Sequence, residues 1–177
     1  MNTLRYILGY VVGVTLFVFL IPAMVWAIAY ACPHFQLSIP YISPLRFVLS
    51  GPIGFTGLYF IASSNVFLLT RGKGGPTEGF GIEVSPKTQK LVTTGVYKHT
   101  RNPMVFGAFC IYTSVTLYML SPFALFCLFL FYCWVKHYLQ KWEEPRLLKD
   151  FGEEYLEYKK RTAMIIPHFR CRKHESA

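Results

Sequence analysis

The fold is decided by one long uncharged stretch of sequence, which reads Pro103-Met-Val-Phe-Gly-Ala-Phe-Cys-Ile-Tyr-Thr-Ser-Val-Thr-Leu-Tyr-Met-Leu-Ser-Pro-Phe-Ala-Leu-Phe-Cys-Leu-Phe-Leu-Phe-Tyr-Cys-Trp-Val135. A transmembrane helix needs about 20 mainly apolar residues, so this stretch is too long for one crossing. Ser121-Pro122, near its middle, is a typical turn sequence. We therefore predict two transmembrane helices, over residues 103–120 and 122–140, that form a tight hairpin.

Two further uncharged stretches, Ile7 to Ala31 and Phe47 to Thr70, each have the length of a single crossing. They predict transmembrane helices over residues 4–31 and 47–70. The first helix is expected to be retained, because its apolar core exceeds the roughly 7–15 residues of a signal peptide and no small-residue cleavage site follows it. The 177-residue chain is thus predicted to be one membrane domain, an all-α polytopic bundle of about four transmembrane helices.

The distribution of basic residues predicts the orientation of these helices. Of 18 Lys and Arg residues, six lie between Arg71 and Arg101 and ten lie from Lys136 onward. Because basic loops stay on the cytoplasmic side, we predict that both termini and the loop of residues 71–102 face the cytoplasm. The net charge of +9 then belongs to one membrane face, which suits anionic lipid headgroups. Nucleic acid is not an expected partner, since no separate basic domain carries the charge.

The C-terminal segment, residues 143–177, mixes charged residues with apolar residues at spacings of three and four. This pattern favours short amphipathic helices at the cytoplasmic membrane surface, broken near Gly152. On this interpretation, Tyr155, Tyr158 and the basic run at 159–161 serve interfacial packing and lipid contact.

The most informative polar segment is Leu91-Val-Thr-Thr-Gly-Val-Tyr97-Lys-His-Thr-Arg101-Asn-Pro103-Met, which leads directly into an apolar stretch. Some forty residues later, Glu143-Glu144 follows the next apolar stretch. Polar and charged groups at the mouth of a membrane bundle are typical of a site where a polar cofactor meets an apolar substrate. The five cysteines and five histidines lack metal-ligand spacing, so the sequence predicts no metal site.

Together with Phe151-Gly-Glu-Glu-Tyr-Leu-Glu-Tyr-Lys-Lys-Arg161, these segments resemble the isoprenylcysteine carboxyl methyltransferases. They also resemble the wider group of membrane methyltransferases that includes the phosphatidylethanolamine methyltransferases. The resemblance covers residues 87–167, close to half of the chain. It implies an integral membrane enzyme that transfers a methyl group from S-adenosyl-L-methionine to a hydrophobic or lipid-like acceptor. In such enzymes the cofactor pocket is cytosolic and is closed by the loop before the third helix and by the C-terminal segment.

The resemblance also implies a set of cofactor-binding residues. By position, the contacts fall on Gln89, Lys90, Leu91, Val92, Tyr97, Asn102, Pro103, Met104, Val105 and Glu143, to which we add Arg101 and Glu144 from the same two segments. Glu143 can pair with the ammonium of the cofactor or with its ribose hydroxyls, and Arg101 can hold the cofactor carboxylate or a substrate anion. Tyr97, with the aliphatic residues before it, suits the adenine. No residue is assigned as a catalytic base.

Three departures from the prenylcysteine enzymes leave the acceptor open. Asn102 stands where they have His, Val105 where they have Tyr, and Leu139 where they have an Arg on the acceptor side. The missing Arg weakens the case for a prenylcysteine carboxylate. The expected acceptor is a hydrophobic or amphiphilic small molecule or lipid, with a carboxylate, amine or hydroxyl, that enters sideways from the bilayer.

Two alternatives stay open on the sequence alone. Membrane sterol reductases use a similar turn and bind NADPH, although this chain is short for that class and has no evident basic set for the 2′-phosphate. The second alternative is a non-catalytic membrane protein of the same fold.

Overall fold

The structure is a computed structural model that describes residues 11–13, 15–31, 43–73, 78–79, 82–83 and 88–167. Residues 4–10 of the first predicted transmembrane helix and residues 168–177 of the C-terminal segment lie outside the described residues. Parts of the predicted cofactor loop, 74–77, 80–81 and 84–87, also lie outside them.

Five α-helices account for most of the described chain: α1 (Ile21–Ala31), α2 (Ser43–Phe67), α3 (Pro103–Met119), α4 (Pro122–Tyr138) and α5 (Glu144–Arg161). π-Helical turns extend them at Thr15–Leu20 before α1, at Leu68–Gly72 after α2 and at Leu139–Glu143 between α4 and α5. Two short strands, β1 (Glu78–Gly79) and β2 (Ile82–Glu83), form an antiparallel pair. Residues Gly95–Lys98 form a single 3-10 turn ahead of α3.

Three helical runs in the described chain are long and apolar enough to cross a membrane: Val11–Ala31, Pro44–Gly72 and Pro122–Arg161. The helix Pro103–Met119 is apolar but shorter. Large apolar side chains such as Phe55 and Phe129 are 73% and 60% exposed, as expected of surfaces that face lipid. The predicted all-α membrane bundle is confirmed, whereas the number of crossings and their bounds stay a prediction.

Helix α3 packs along α2 over most of its length. Phe47 and Tyr118 meet edge to face at one end, and Phe60 and Phe106 meet in the same way at the other, with ring centroids 4.8 Å apart. Between these contacts the backbones come so close that a Cβ atom at Gly57 would lie 2.6 Å from the carbonyl oxygen of Gly107. Since lipid supplies no hydrophobic force between helices, such close packing of small residues is what holds membrane helices together.

The other side of α3 contacts α1 and α4. Tyr112 of α3 is 1% exposed, and its hydroxyl donates a hydrogen bond of 3.1 Å to the Phe17 carbonyl oxygen. Tyr112 also packs with Leu128 of α4 in a buried cluster that Ile21 of α1 adjoins. Helix α3 is therefore the centre of the bundle, and its first residues are held on several sides.

The turn between α3 and α4 takes only two residues. Leu120 adopts a left-handed conformation with φ of 48°, and Ser121 then caps α4 by accepting a 3.2 Å hydrogen bond from the Ala124 N–H at its hydroxyl. Pro122 occupies the first helical position, where its missing N–H leaves no hydrogen bond unmade. The tight hairpin places the start of α3 and the end of α4 at the same end of the bundle.

Gly57→Ala is expected to destabilise the bundle, because the added methyl group would force α2 and α3 apart. Overpacking of this kind costs about 1–3 kcal/mol. Gly51→Ala is the matched control on the same helix, since a Cβ atom at Gly51 meets no atom within 4 Å. Thermal unfolding of the detergent-solubilised full chain measures both variants. Equal unfolding midpoints for the two variants would contradict the proposed close packing.

Candidate active site where helices α3 and α5 begin

The centre of the candidate site is a buried ion pair between Arg101 and Glu144. Arg101 Nη1 lies 2.6 Å from Glu144 Oε1, and the two side chains are only 8% and 11% exposed. Arg101 lies two residues before α3, and Glu144 is the first residue of α5. The pair therefore joins the starts of two helices, although Arg101 and Glu144 are more than forty residues apart in the sequence.

Two further side chains complete this polar cluster. Lys159 Nζ donates to the second carboxylate oxygen of Glu144 at 2.6 Å, and Arg101 Nη1 also donates to the Tyr155 hydroxyl at 3.2 Å. Burial raises the pKa of Tyr155, and the nearby Arg101 lowers it only in part. Tyr155 is therefore a neutral phenol at physiological pH and serves as a hydrogen-bonding group beside the ion pair.

The fold-back that brings Lys159 to Glu144 takes place at Gly152. This residue has φ of 55° and ψ of −132°, a conformation that residues with a Cβ atom rarely adopt. A straight helix would separate residues 144 and 159 by about 22 Å, at 1.5 Å per residue. The bend instead returns the second half of α5 to the start of the helix.

Tyr155 and Tyr158 lie inside this assembly, so the prediction that they contact lipid was wrong. Both are 2% exposed. The Tyr158 hydroxyl donates a 2.6 Å hydrogen bond to the Tyr97 carbonyl oxygen. The bend at Gly152 turns this face of α5 onto Tyr97 and Arg101. Their three-residue spacing, which puts both on one helix face, was the available signal.

The segment before α3 lies against the end of α2. The N–H groups of Gln89 and Lys90 donate to the Gly72 carbonyl oxygen, at 2.9 and 3.4 Å. Val92 and Tyr97 are buried in an apolar cluster with Phe60, whereas Gln89 and Lys90 are exposed. The predicted cofactor residues of this segment are thus divided into buried supports and accessible groups.

The residues that open α3 are tied to the chain that follows α5. The Arg101 N–H donates to the Ala163 carbonyl oxygen at 2.8 Å, and the Asn102 side-chain amide donates to the Met164 carbonyl oxygen at 2.9 Å. Thr100 Oγ1 donates to the same Met164 oxygen at 3.2 Å. We call residues 163–166 the strap. Part of the hydrogen-bonding capacity of Asn102 is therefore used on the strap.

The first turn of α3 supplies backbone donors that have no partner within the helix. Pro103 is buried at the first helical position, and the N–H groups of Met104 and Val105 have no acceptor within the helix. Among the residues that the structure describes, Arg101 Nε is also buried without a hydrogen-bond acceptor. These groups point to an anionic ligand group at this position.

The two adjacent glutamates differ in their surroundings. Glu143 Oε1 pairs at 2.6 Å with Arg146 Nη2 within one helical turn, and its side chain is 20% exposed. Glu144 is the one that contacts Arg101. The sequence predicted the acidic cofactor contact at Glu143. In the structure, Glu144 is the glutamate buried beside Arg101, which among the described residues is the one buried cation of the predicted cofactor set.

A separate apolar groove of about 630 Å³ runs between α3 and α4. Its lining includes Phe106, Phe109 and Cys110 from α3, Leu125, Phe129 and Tyr132 from α4, and Ile165 and Ile166 from the strap. None of the predicted cofactor residues belongs to the lining in the described chain. Phe106 lines the groove and also packs against the apolar cluster that contains Val92 and Tyr97. Within the described residues, no group of three or more His, Cys, Asp or Glu side chains could hold a metal ion.

Gly152→Ala is expected to open the assembly without any steric clash, since a Cβ atom at Gly152 meets no atom within 4 Å. The strained backbone would cost about 1–3 kcal/mol, and the second half of α5 would swing away from Tyr97 and Arg101. Amide hydrogen exchange of residues 153–161 should accelerate in this variant. Glu153→Ala, at an exposed neighbouring position, is the control, and unchanged exchange in Gly152→Ala would argue against the fold-back.

Comparison with known proteins agrees with the resemblance predicted from the sequence. The chain is 35% identical over 98 residues to the protein-S-isoprenylcysteine O-methyltransferase of Saccharomyces cerevisiae, which covers 51% of this chain and 40% of the yeast protein. It is 34% identical over 92 residues to the human protein of the same name, covering 47% of this chain and 29% of that protein. The mouse protein is 33% identical over 92 residues, with the same coverage.

The matched region thus spans well under half the length of these relatives. No solved structure matches the chain. The phospholipid methyltransferase family model matches residues 55–154, a region that contains Arg101, Glu144 and the whole of α3 and α4. Because this match covers more than half of the sequence, the chain belongs to the phospholipid methyltransferase family.

Proposed function

We propose that the protein is an integral membrane methyltransferase that takes the methyl group of S-adenosyl-L-methionine and transfers it to a hydrophobic or amphiphilic acceptor. The observation that carries this proposal is the adjacency of two unlike sites. The strap is hydrogen-bonded to Arg101 and Asn102 and lines an apolar groove with Ile165 and Ile166, so the buried charged cluster around Arg101 and Glu144 adjoins that groove. A reaction between a charged donor and an apolar acceptor requires a polar site and an apolar site next to each other.

The polar groups of the cluster fit the chemistry of the donor. The buried Arg101 Nε and the first-turn N–H groups of Met104 and Val105 suit its carboxylate. The Glu144 carboxylate can accept more hydrogen bonds than the two from Arg101 and Lys159, and so suits its ammonium. We propose the accessible residues Gln89, Lys90, Leu91 and Asn102 as further contacts, and give Glu143, whose carboxylate is paired with Arg146, at most a minor part. The buried residues Val92, Tyr97 and Pro103 would hold these contact residues in position by packing, because little of their own surface is open to a ligand.

When bound, the sulfonium compound supplies an electrophilic methyl group. The chain's own contribution would then be alignment of the reactants and exclusion of water, which can provide most of the acceleration of such a displacement. The second half of α5 covers the cluster through Tyr155 and Tyr158 and so contributes to that exclusion. Since burial raises the pKa of both phenols, neither acts as a general base at neutral pH.

The groove is the proposed acceptor site, reached sideways from the bilayer. The groove, at about 630 Å³, has the size of a typical small-molecule site. The curated relatives are named for S-isoprenylcysteine, a lipid-like acceptor. Leu139 is 6% exposed and apolar, so the acceptor head group would not find a cation at that position. Carboxylate, amine and hydroxyl acceptors all remain compatible with the proposal.

The cluster is proposed to face the cytoplasm. Lys98, Arg101, Lys136 and Lys141 lie at the end of the bundle where α3 begins and α4 ends, and basic residues flanking transmembrane helices stay on the cytoplasmic side. The cytoplasm is also where a water-soluble donor is available.

Glu144→Gln is expected to weaken binding of S-adenosyl-L-methionine at least about tenfold, since a charge-assisted hydrogen bond contributes about 1.5–3 kcal/mol. Glu143→Gln, the matched neighbour, should change the dissociation constant less than about threefold, because Glu143 pairs with Arg146 within its own helical turn and lies outside the buried pair with Arg101. Isothermal titration of the purified full chain measures both, with thermal unfolding as the check that each variant is folded.

The same titration includes NADPH as an alternative ligand. Binding of NADPH in place of S-adenosyl-L-methionine would overturn the methyltransferase proposal in favour of a reductase. Binding of neither compound by the wild-type chain would indicate a non-catalytic member of the family. Equal losses in Glu143→Gln and Glu144→Gln would contradict the assignment of Glu144 as the acidic contact.

A further inference from the structure

We infer that Ile166, held in place by the strap, determines which acceptors reach the methyl donor; this inference rests on the proposed function. Nothing in the sequence pattern singled out this residue. The argument starts from the position of the strap between the charged cluster and the groove.

The strap is fixed to the start of α3 by its backbone. Its Ala163 and Met164 carbonyl oxygens accept three hydrogen bonds from residues 100–102, at 2.8, 2.9 and 3.2 Å. Thr100 and Ala163 also form a parallel bridge. Thr100, which makes two of these contacts, is completely buried. The strap therefore has little freedom to move relative to Arg101 and Asn102.

The side chains that follow these anchored carbonyl groups line the groove. Ile165 is 3% exposed and forms a closed part of the wall. Ile166 also lines the groove but is 60% exposed, so it lies at the rim. Phe106 and Tyr132 line the same groove from α3 and α4.

An acceptor in the groove must bring its head group past this wall to approach the charged cluster. Because the strap is anchored, the size of the rim side chain sets the space through which the head group passes. Ile165 is a poor residue for a test, since changing a buried side chain also changes stability. Ile166 can be changed with little effect on packing, because most of its surface is already exposed.

The test uses the full chain in lipid nanodiscs, with methyl-labelled S-adenosyl-L-methionine and a total lipid extract as the source of acceptors. Ile166→Trp should narrow the rim and lower the initial rate of methyl incorporation at least about tenfold. The dissociation constant of S-adenosyl-L-methionine should stay within about twofold of wild type. Ile166→Ala should widen the rim and change the ratio of labelled products at least about threefold, in favour of acceptors with larger head groups.

Leu148→Trp is the control for adding a large side chain to an exposed apolar position. Leu148 is 40% exposed on α5 and does not line the groove, so its rate and product ratio should match wild type. Wild-type rates and product ratios in both Ile166 variants would overturn the inference and leave the proposed function intact. The same holds if Ile166→Trp weakens cofactor binding as much as it lowers the rate. A wild-type chain that neither binds S-adenosyl-L-methionine nor labels any lipid would overturn the proposed function itself.

Discussion

The buried ion pair between Arg101 and Glu144 is the interaction on which the rest of the site depends. Removing two charges from water costs several kcal/mol per ion, and this cost is offset only when both are well paired and hydrogen-bonded. Lys159 donates to the second oxygen of Glu144 and Tyr155 accepts from Arg101 Nη1, while Arg101 Nε is left buried without an acceptor among the described residues. The pair thereby fixes the start of α3 relative to the start of α5. Loss of Glu144 would remove the counter-charge of the buried Arg101, whereas loss of Arg101 would leave Glu144 paired with Lys159.

The surrounding fold holds these two residues in place by different means. Within the helix bundle, close contact between Gly57 and Gly107 sets the position of α3 against α2. Above them, the bend at Gly152 returns α5 over the cluster. The strap, which is hydrogen-bonded to Arg101 and Asn102, also lines the apolar groove between α3 and α4. A polar donor and an apolar acceptor could thus approach each other from opposite sides of one thin wall, without either entering an unfavourable environment.

The sequence predicted the all-α membrane bundle because that feature depends on local properties. Local sequence is enough to identify uncharged runs of sufficient length and prolines at helix starts, such as Pro103 and Pro122. The internal arrangement of the site depends on the directions in which the chain segments turn, and these cannot be predicted from local sequence. The sequence indicated a break near Gly152 but not the side to which α5 turns, so the burial of Tyr155 and Tyr158 was missed. Likewise, the strap contacts join residues more than sixty positions apart, and no local pattern distinguishes Glu144 from Glu143 as the partner of Arg101.

A double-mutant cycle between Arg101 and Glu144 tests the central claim most directly. The free energy of unfolding of the full chain in detergent would be measured for Arg101→Gln, Glu144→Gln and the double variant. The buried pair predicts that each single variant is destabilised and that the double variant is less affected than the sum, with a coupling energy of about 1–3 kcal/mol. Additive effects, with no coupling beyond about 0.5 kcal/mol, would contradict a direct interaction between the two side chains.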